Sequence, residues 1–188
     1  YPVGTSFSGG VSHIMPLTKA NGFLPDLNAI PKDVAKKAKL MWLNSPNNPT
    51  SVIMTKDYFK RVVEFAQENH VIVCHDAAYS EIYYDGTPPV SFMEIAGAKD
   101  VGVEFHSLSK TYNMTGWRIG FVVGNKDVLA ALGKVKSQLD SGVFEAVQAA
   151  GITALGLDDS VTDSLRKIYQ ERRDTLVRLE DLKRRRNE

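Results

Sequence analysis

Short apolar runs alternate with helical patterns along this chain, and this alternation constrains the fold more than any other feature. The runs have strand-type composition and are Val11–Leu17, Leu40–Leu43, Val71–Cys74, Val101–Phe105 and Arg118–Val123. Several lack strict polar alternation, as strands do when helices cover both faces of a parallel sheet, although a run of four apolar residues also suits a buried helix. The pattern predicts an α/β fold with a mostly parallel sheet and flanking helices.

Two further segments carry helical periodicity. Apolar positions from Tyr58 to Ala66 have the spacing of one helix face, and Thr55 is a candidate N-cap just before them. Residues 158–188 have the pattern of one long charged helix with a narrow apolar stripe. We therefore predict one partial domain at residues 1–157, followed by a long helix at residues 158–188.

Composition argues against several classes of partner. The 23 basic and 22 acidic residues give a net charge of +1, which does not indicate nucleic acid or an anionic membrane. No run approaches the roughly 18 to 20 apolar residues of a membrane span. The single cysteine, Cys74, lies in an apolar run, so we expect a buried thiol and a cytoplasmic protein. The four histidines lack a repeated metal-ligand spacing, and we predict no metal site.

Polar side chains follow three of the predicted strands at the point where each strand ends. Ligands of parallel sheets bind at this edge, because loops converge there and helix N-termini present amide groups to anions. The candidate side chains are Asn48 after the second run, Asp76 and Tyr79 after the third, and Ser107, Ser109, Lys110 and Arg118 after the fourth. Taken singly, each has an ordinary structural role as a turn former, a helix cap or a surface lysine. Their joint order indicates a ligand site.

The order and spacing of these residues resemble the signature of the fold-type-I aminotransferases of class I and II, which depend on pyridoxal phosphate. The resemblance rests on Asn48–Thr50, on Asp76–Tyr79, and on Ser107–Lys110 with Arg118 eight residues after Lys110. The segment at residues 105–120 is most similar to LL-diaminopimelate aminotransferases. Aspartate, alanine and aromatic aminotransferases are near neighbours. The resemblance covers nearly the whole chain and implies part of the large domain of such an enzyme.

The resemblance implies pyridoxal 5'-phosphate as the cofactor and three catalytic residues around it. Lys110 would bond covalently to the cofactor and later carry the proton that moves during amino transfer. Asp76 would face the pyridine nitrogen and favour its protonated form. Tyr79, together with Asn48, would hydrogen-bond the phenolic oxygen of the cofactor.

The resemblance assigns four more side chains to holding the cofactor. Ser107, Ser109 and Arg118 would bind the phosphate, the arginine through a charge-assisted fork. Tyr1 is similar to an aromatic residue that stacks on the cofactor ring in this family.

The implied activity is transfer of an amino group between glutamate and a keto acid, with LL-diaminopimelate and tetrahydrodipicolinate of lysine biosynthesis as the substrate pair. The resemblance also implies a homodimer that acts on small molecules. Two alternatives stay open. One is an aspartate- or alanine-type aminotransferase, or a β-lyase, on the same fold. The other is a non-catalytic regulatory module that binds pyridoxal phosphate, against which the small net charge and the lack of a DNA-binding motif argue.

The chain departs from the family pattern in its extent. Family members carry an N-terminal stretch with a glycine-rich phosphate loop, and a small C-terminal domain with an arginine for the substrate carboxylate. Neither is recognisable here, because every arginine after Arg118 lies in the predicted terminal helix. We expect a central fragment with an incomplete substrate site, and little or no transamination by this chain alone.

Overall fold

The computed structural model describes residues 1–187, and four strands within this range form a single sheet. The strands are β1 (Leu40–Asn44), β2 (Ile72–Asp76), β3 (Gly102–Ser107) and β4 (Gly120–Gly124). Their order is β1-β2-β3-β4, with β1, β2 and β3 parallel and β4 antiparallel to β3. The prediction of an α/β fold with a mostly parallel sheet is confirmed.

Helices flank this sheet and extend beyond it. The α-helices of the described range are α1 (Pro2–Phe7), α2 (Lys32–Lys37), α3 (Lys56–Asn69), α4 (Ala98–Val101), α5 (Leu108–Thr111), α6 (Lys126–Leu139), α7 (Glu145–Leu155) and α8 (Asp159–Asn187). Short 3-10 turns lie at Lys19–Asn21, Leu27–Ala29, Phe92–Glu94 and Thr115–Trp117. None of the helices in residues 1–187 is long and apolar enough to cross a membrane.

Helix α3 forms as its periodicity predicts. The hydroxyl of Thr55 accepts a hydrogen bond from the backbone N–H of Tyr58 at 3.2 Å, so the predicted N-cap is confirmed. The helix ends where His70 adopts a left-handed conformation with a φ of 54°. Its buried face carries Phe59 and Val62, both fully buried in the main hydrophobic core. That core also contains side chains of β1 and β2 and of the segment at residues 92–98.

Helix α8 is the long charged helix expected at residues 158–188; Glu188 lies outside the described residues. It contacts the loop that follows Tyr79. Arg173 pairs with Asp85 through two hydrogen bonds of 2.6 and 2.9 Å, and the guanidinium of Arg166 lies 4.6 Å from the ring centre of Tyr83. The helix therefore contacts the loop after Tyr79 through arginine side chains that pair with a carboxylate and stack on aromatic rings.

The strand predicted at Val11–Leu17 is wrong. Residues 11–18 have no regular secondary structure, and Val11 is 95% exposed. A strand needs a hydrogen-bonded neighbour, and within the described range the backbone at residues 11–17 makes no backbone hydrogen bond. Pro16 has no amide hydrogen to contribute to a ladder. Apolar residues alone do not create a strand without that partner.

Two predicted strand boundaries also need correction. Val101 belongs to α4, and β3 begins one residue later. Arg118 precedes β4 in a left-handed conformation with a φ of 52°, and the strand begins at Gly120. A side chain at Gly120 would clash with the carbonyl oxygen of His106, which explains why β4 opens with a glycine.

Candidate cofactor site

The parallel pairing brings the carboxyl ends of three strands to one edge of the sheet, which we call the carboxyl edge. In the register, Asn44 lies beside Asp76 and Asp76 lies beside Phe105. Strand β4 begins at the same edge, because Gly120 pairs with Ser107. The loops that carry the predicted binding side chains therefore all start or finish here.

A first group at the carboxyl edge joins Asn48, Tyr79 and Lys110. The side-chain amide of Asn48 donates a hydrogen bond to the hydroxyl oxygen of Tyr79 at 3.2 Å. The Nζ atom of Lys110 lies 5.6 Å from the centre of the Tyr79 ring. The carboxamide oxygen of Asn44 holds the loop in place by accepting the backbone N–H of Asn48 at 2.8 Å. The amine of Lys110 thus lies beside the ring of Tyr79, and the amide of Asn48 orients the hydroxyl of that tyrosine.

A second group surrounds Asp76 at the end of β2. Its Oδ1 atom accepts the backbone N–H of Ala78 at 3.2 Å, and its Oδ2 atom accepts the hydroxyl of Tyr1 at 2.5 Å. The Tyr1 ring stacks on Trp42, with ring centres 4.5 Å apart and planes 7° apart. Partial burial and the neighbouring Asp76 carboxylate raise the pKa of Tyr1 well above its usual range. The carboxylate is therefore oriented to receive a proton donor from the side on which Tyr1 lies.

A third group gathers two hydroxyls and a guanidinium around α5. The hydroxyl of Ser107 accepts the backbone N–H of Ser109 at 3.3 Å. Arg118 donates from Nη1 to the carbonyl oxygen of Thr115 at 2.9 Å and to the hydroxyl of Ser109 at 3.4 Å. These contacts leave the remaining guanidinium donors of Arg118 facing solvent, where an anion can reach them. Helix α5 also carries Lys110. The amine of Lys110 and the guanidinium of Arg118 therefore lie within one short segment of the chain.

The family model described as aminotransferase class I and II matches residues 1–182. The chain belongs to the class I and II aminotransferase family. It spans about half the length of the curated aminotransferases it matches. LL-diaminopimelate aminotransferase of Syntrophobacter fumaroxidans is 59% identical over 184 residues, which cover 98% of this chain and 47% of that protein.

Two more matches support the same family. LL-diaminopimelate aminotransferase of Desulforudis audaxviator is 57% identical over 180 residues, covering 94% of this chain and 46% of that protein. Among solved structures of aminotransferase-like fold, substrate-bound BacF from Bacillus subtilis superposes with a TM-score of 0.87 at 40% identity, covering 92% of this chain and 44% of that one. The α/β fold expected from the sequence is therefore the fold of the class I and II aminotransferase family.

The side chains of this aminotransferase chain suit the functional groups of pyridoxal phosphate. The amine of Lys110 matches an aldehyde, and the carboxylate of Asp76 matches a ring N–H. The Asn48–Tyr79 pair offers donors for a phenolate oxygen, and Arg118 offers a charge-assisted fork for a phosphate. Each predicted site residue lies at the carboxyl edge, whereas their contacts to a cofactor stay predictions.

Glu104 is a polar residue of this aminotransferase chain that the sequence analysis missed. It lies in the middle of β3, is 2% exposed, and is hydrogen-bonded to His75 and His106. The signal that could have found Glu104 is a single carboxylate inside an otherwise apolar strand, since buried charges need partners.

Proposed function

We propose that this chain is the cofactor-binding part of an LL-diaminopimelate aminotransferase that acts in lysine biosynthesis. The enzyme exchanges an amino group between glutamate and tetrahydrodipicolinate, the keto-acid counterpart of LL-diaminopimelate. One observation carries the proposal: Lys110, the Asn48–Tyr79 pair, Asp76 and Arg118 converge at one edge of the sheet. The substrate assignment rests on relatives of this name that are 57% and 59% identical to the chain.

Pyridoxal phosphate, when bound, supplies an aldehyde that condenses with amines and a protonated ring that accepts electrons from the substrate carbon. Lys110 is the residue that would bond to that aldehyde. Its Nζ atom also holds the proton taken from the α-carbon of the substrate amino acid and returns it. The Tyr79 ring beside Nζ restricts the lysine side chain to this side of the site.

Asp76 would lie next to the ring nitrogen, where its carboxylate favours the protonated ring. Its Oδ2 atom already binds a donor, the hydroxyl of Tyr1, so the carboxylate has the orientation that a ring N–H requires. A ring N–H that bonds to Oδ2 replaces or shares the bond from Tyr1. Asn48 and Tyr79, whose side chains are hydrogen-bonded to each other, would supply donors to the phenolic oxygen and so favour its ionised form.

Arg118, Ser107 and Ser109 bind the phosphate in this proposal. The guanidinium is anchored by the carbonyl oxygen of Thr115 at 2.9 Å, so its planar fork has a fixed direction. A fixed fork loses little side-chain entropy when an anion binds. The Ser109 hydroxyl lies 3.4 Å from the same guanidinium nitrogen, which places a second donor beside the fork.

The proposed enzyme is a homodimer of the cytoplasm. Several large apolar side chains at the surface of the chain are strongly exposed, among them Phe7, Phe144 and Ile152, and a second copy would remove such surface from water. The buried thiol of Cys74 forms no disulfide, which suits a reducing compartment. Light scattering of the purified protein measures the oligomeric state.

The cofactor part of the proposal is tested by an absorbance spectrum after addition of pyridoxal phosphate. We expect a visible band with the unchanged chain and no such band with Lys110→Ala. Lys126→Ala is the matched control, because Lys126 is an exposed lysine at the start of α6. A visible band that persists in Lys110→Ala refutes the assignment.

The substrate part is tested in a chimera. This chain replaces the matching segment of the Syntrophobacter fumaroxidans enzyme, to which it is 59% identical. We expect the chimera to form glutamate from LL-diaminopimelate faster than from aspartate or alanine as amino donor. A chimera that folds and binds the cofactor but prefers aspartate or alanine contradicts the substrate assignment, and the chain alone should show little or no turnover.

A further inference from the structure

A buried carboxylate beneath the carboxyl edge collects an unusual number of hydrogen bonds. Glu104 accepts from His106 Nε2 at 2.8 Å and from His75 Nδ1 at 2.9 Å. It also accepts from the Ser91 hydroxyl at 2.8 Å and from the backbone N–H of Phe92 at 2.7 Å. Burial alone would raise the pKa of Glu104, but these donors together hold it well below its usual range. The carboxylate is therefore ionised and fully satisfied.

His75 extends these contacts to the loop after β1. Its Nδ1 atom faces Glu104, and its Nε2 atom faces the carbonyl oxygen of Ser45 at 3.1 Å. Both partners are hydrogen-bond acceptors, so the ring is held in place at both of its nitrogens. The imidazole is 1% exposed and lies edge-on to the rings of Phe59 and Phe92, at 5.0 and 6.2 Å between centres. We call Ser45, His75, Ser91, Glu104 and His106 the Glu104 network.

The Glu104 network touches every strand end that carries a proposed cofactor ligand. Ser45 directly follows β1 and begins the loop of Asn48. His75 is the neighbour of Asp76 within β2, and His106 is the neighbour of Ser107 within β3. Neighbouring residues of a strand point to opposite faces. The network thus holds these strand ends from one face, while the ligand side chains point away from it.

A short path of hydrogen bonds leads from the network to the site. The carbonyl oxygen of Asp76 accepts the backbone N–H of Ser45 at 3.2 Å and the side-chain amide of Asn44 at 3.0 Å. The Oδ1 atom of Asn44 accepts the backbone N–H of Asn48. A shift of His75 therefore moves both Asp76 and the loop that orients Asn48.

We propose that Glu104 is a positioning residue for the cofactor site: through His75 and His106 it fixes three strand ends so that Asn48, Asp76 and Ser107 converge on one ligand. This inference rests on the proposed function in its reference to the cofactor. It does not require Glu104 to touch the cofactor or the substrate. A role in folding alone would leave the site geometry of the folded protein unaffected by loss of the charge.

The test uses Glu104→Gln, which keeps the shape of the side chain and removes its charge. One oxygen becomes an NH2 group that faces donors, so the network cannot be fully satisfied. Val62→Ala is the matched control, because Val62 is fully buried in α3 and lies outside the network. Thermal unfolding and far-UV circular dichroism establish that both variants are folded and how much stability each has lost.

Two readouts separate positioning from folding. The first is hydrogen exchange of the backbone amides of Asn48, Ala78 and Ser109, which hydrogen-bond to the side chains of Asn44, Asp76 and Ser107 respectively. We expect Glu104→Gln to accelerate their exchange on the order of tenfold beyond the global change, whereas Val62→Ala accelerates exchange uniformly. The second is the dissociation constant for pyridoxal phosphate, which should rise on the order of tenfold in Glu104→Gln and stay unchanged in Val62→Ala.

Each outcome has a defined meaning. If Glu104→Gln loses stability but keeps the exchange pattern and the cofactor affinity of the control, the positioning role is overturned. If the unchanged chain does not bind pyridoxal phosphate, the proposed function fails, and the exchange readout still decides whether Glu104 fixes the strand ends. If Glu104→Gln does not fold, His106→Phe replaces it, since His106 is only partly buried and the substitution removes one donor to Glu104. Unchanged exchange at Ser109 in that variant also overturns the proposal.

Discussion

Replacement of Arg118 by lysine isolates the geometry of the proposed phosphate contact, because the charge stays the same. Arginine offers a planar fork, whereas lysine offers a compact ammonium group that cannot make two parallel hydrogen bonds to one phosphate. The left-handed backbone conformation at this position has the same free-energy cost for arginine and for lysine, since neither is glycine. The variant therefore changes the number and direction of donors and little else.

The size of the effect follows from the contacts of the guanidinium. Lysine loses the anchoring bond to Thr115 together with one of two bonds to the anion. A hydrogen bond to a charged group contributes about 1.5 to 3 kcal/mol, and the exposed position of Arg118 favours the lower part of that range. Because about 1.4 kcal/mol corresponds to a tenfold change in affinity, we expect Arg118→Lys to weaken pyridoxal phosphate binding about tenfold.

The assay is an equilibrium titration of the visible absorbance band with pyridoxal phosphate, repeated with pyridoxal, which lacks the phosphate. We expect the difference between Arg118→Lys and the unchanged chain to disappear with pyridoxal. Arg178→Lys is the control, since Arg178 is an exposed arginine of α8 that has no part in the proposed phosphate contact. An affinity for pyridoxal phosphate within about twofold of the unchanged chain, well under 1 kcal/mol, refutes the fork as the phosphate contact.

Three more predictions concern stability and reactivity. Phe59→Ala should lower the free energy of unfolding by about 3 to 5 kcal/mol, because the ring is fully buried against His75 and Phe92; urea denaturation measures this. The ionised Glu104 should stabilise the fold at pH values above its ordinary pKa of 4.5, because its pKa is lowered in the folded state. This stabilisation should disappear as the pH falls below that value. The urea midpoints of the unchanged chain and of Glu104→Gln, compared over a series of pH values, measure the loss. Cys74 should resist thiol reagents in the folded protein at mildly alkaline pH, because burial raises its pKa to about 11, and should react once urea unfolds the chain; Ellman's reagent measures the rate.

The chain offers a control for each of these predictions. Phe7→Ala should change stability by less than about 0.5 kcal/mol, since Phe7 is 89% exposed. Glu68→Gln should leave the pH dependence intact, because Glu68 is an exposed residue of α3. Equal losses from Phe59→Ala and Phe7→Ala, a constant gap between the unchanged chain and Glu104→Gln in acid, or rapid labelling of folded Cys74 would each contradict the structure.

The sequence predicts those parts of the fold in which local pattern and tertiary environment agree. Strands β1, β2 and β3 each pair with a parallel neighbour and carry buried apolar side chains, so apolar composition and strand formation coincide. Helix α3 has its cap, its periodic apolar face and its end within one contiguous segment. The segment Val11–Leu17 has the same local pattern but no neighbour, and its backbone stays irregular. The apolar pattern also could not predict that β4 runs antiparallel to β3, because parallel and antiparallel strands have the same composition.

The candidate site divides in the same way. Lys110, Asp76 and Arg118 each belong to a contiguous motif. The order of these motifs along the chain was therefore enough to predict that the three residues share one site. Glu104 depends on donors at residues 75, 91 and 106, which are adjacent only after the sheet has formed. A carboxylate that is satisfied by non-local partners leaves no periodic signal in the sequence. The contact between Tyr1 and Asp76, which are 75 residues apart, was hidden for the same reason.

The antiparallel return of β4 has a consequence for how the site is carried by the chain. The polypeptide leaves the sheet after Ser107 and re-enters it opposite, at Gly120, and the backbone N–H of Leu108 closes the base of this excursion on the carbonyl oxygen of Ile119 at 3.2 Å. Lys110 and Arg118 therefore sit on one closed loop whose ordering entropy is lost during folding rather than on ligand binding. Residues 107–120 therefore present an amine and a guanidinium together, on one loop whose two ends are fixed by the pairing of β3 with β4.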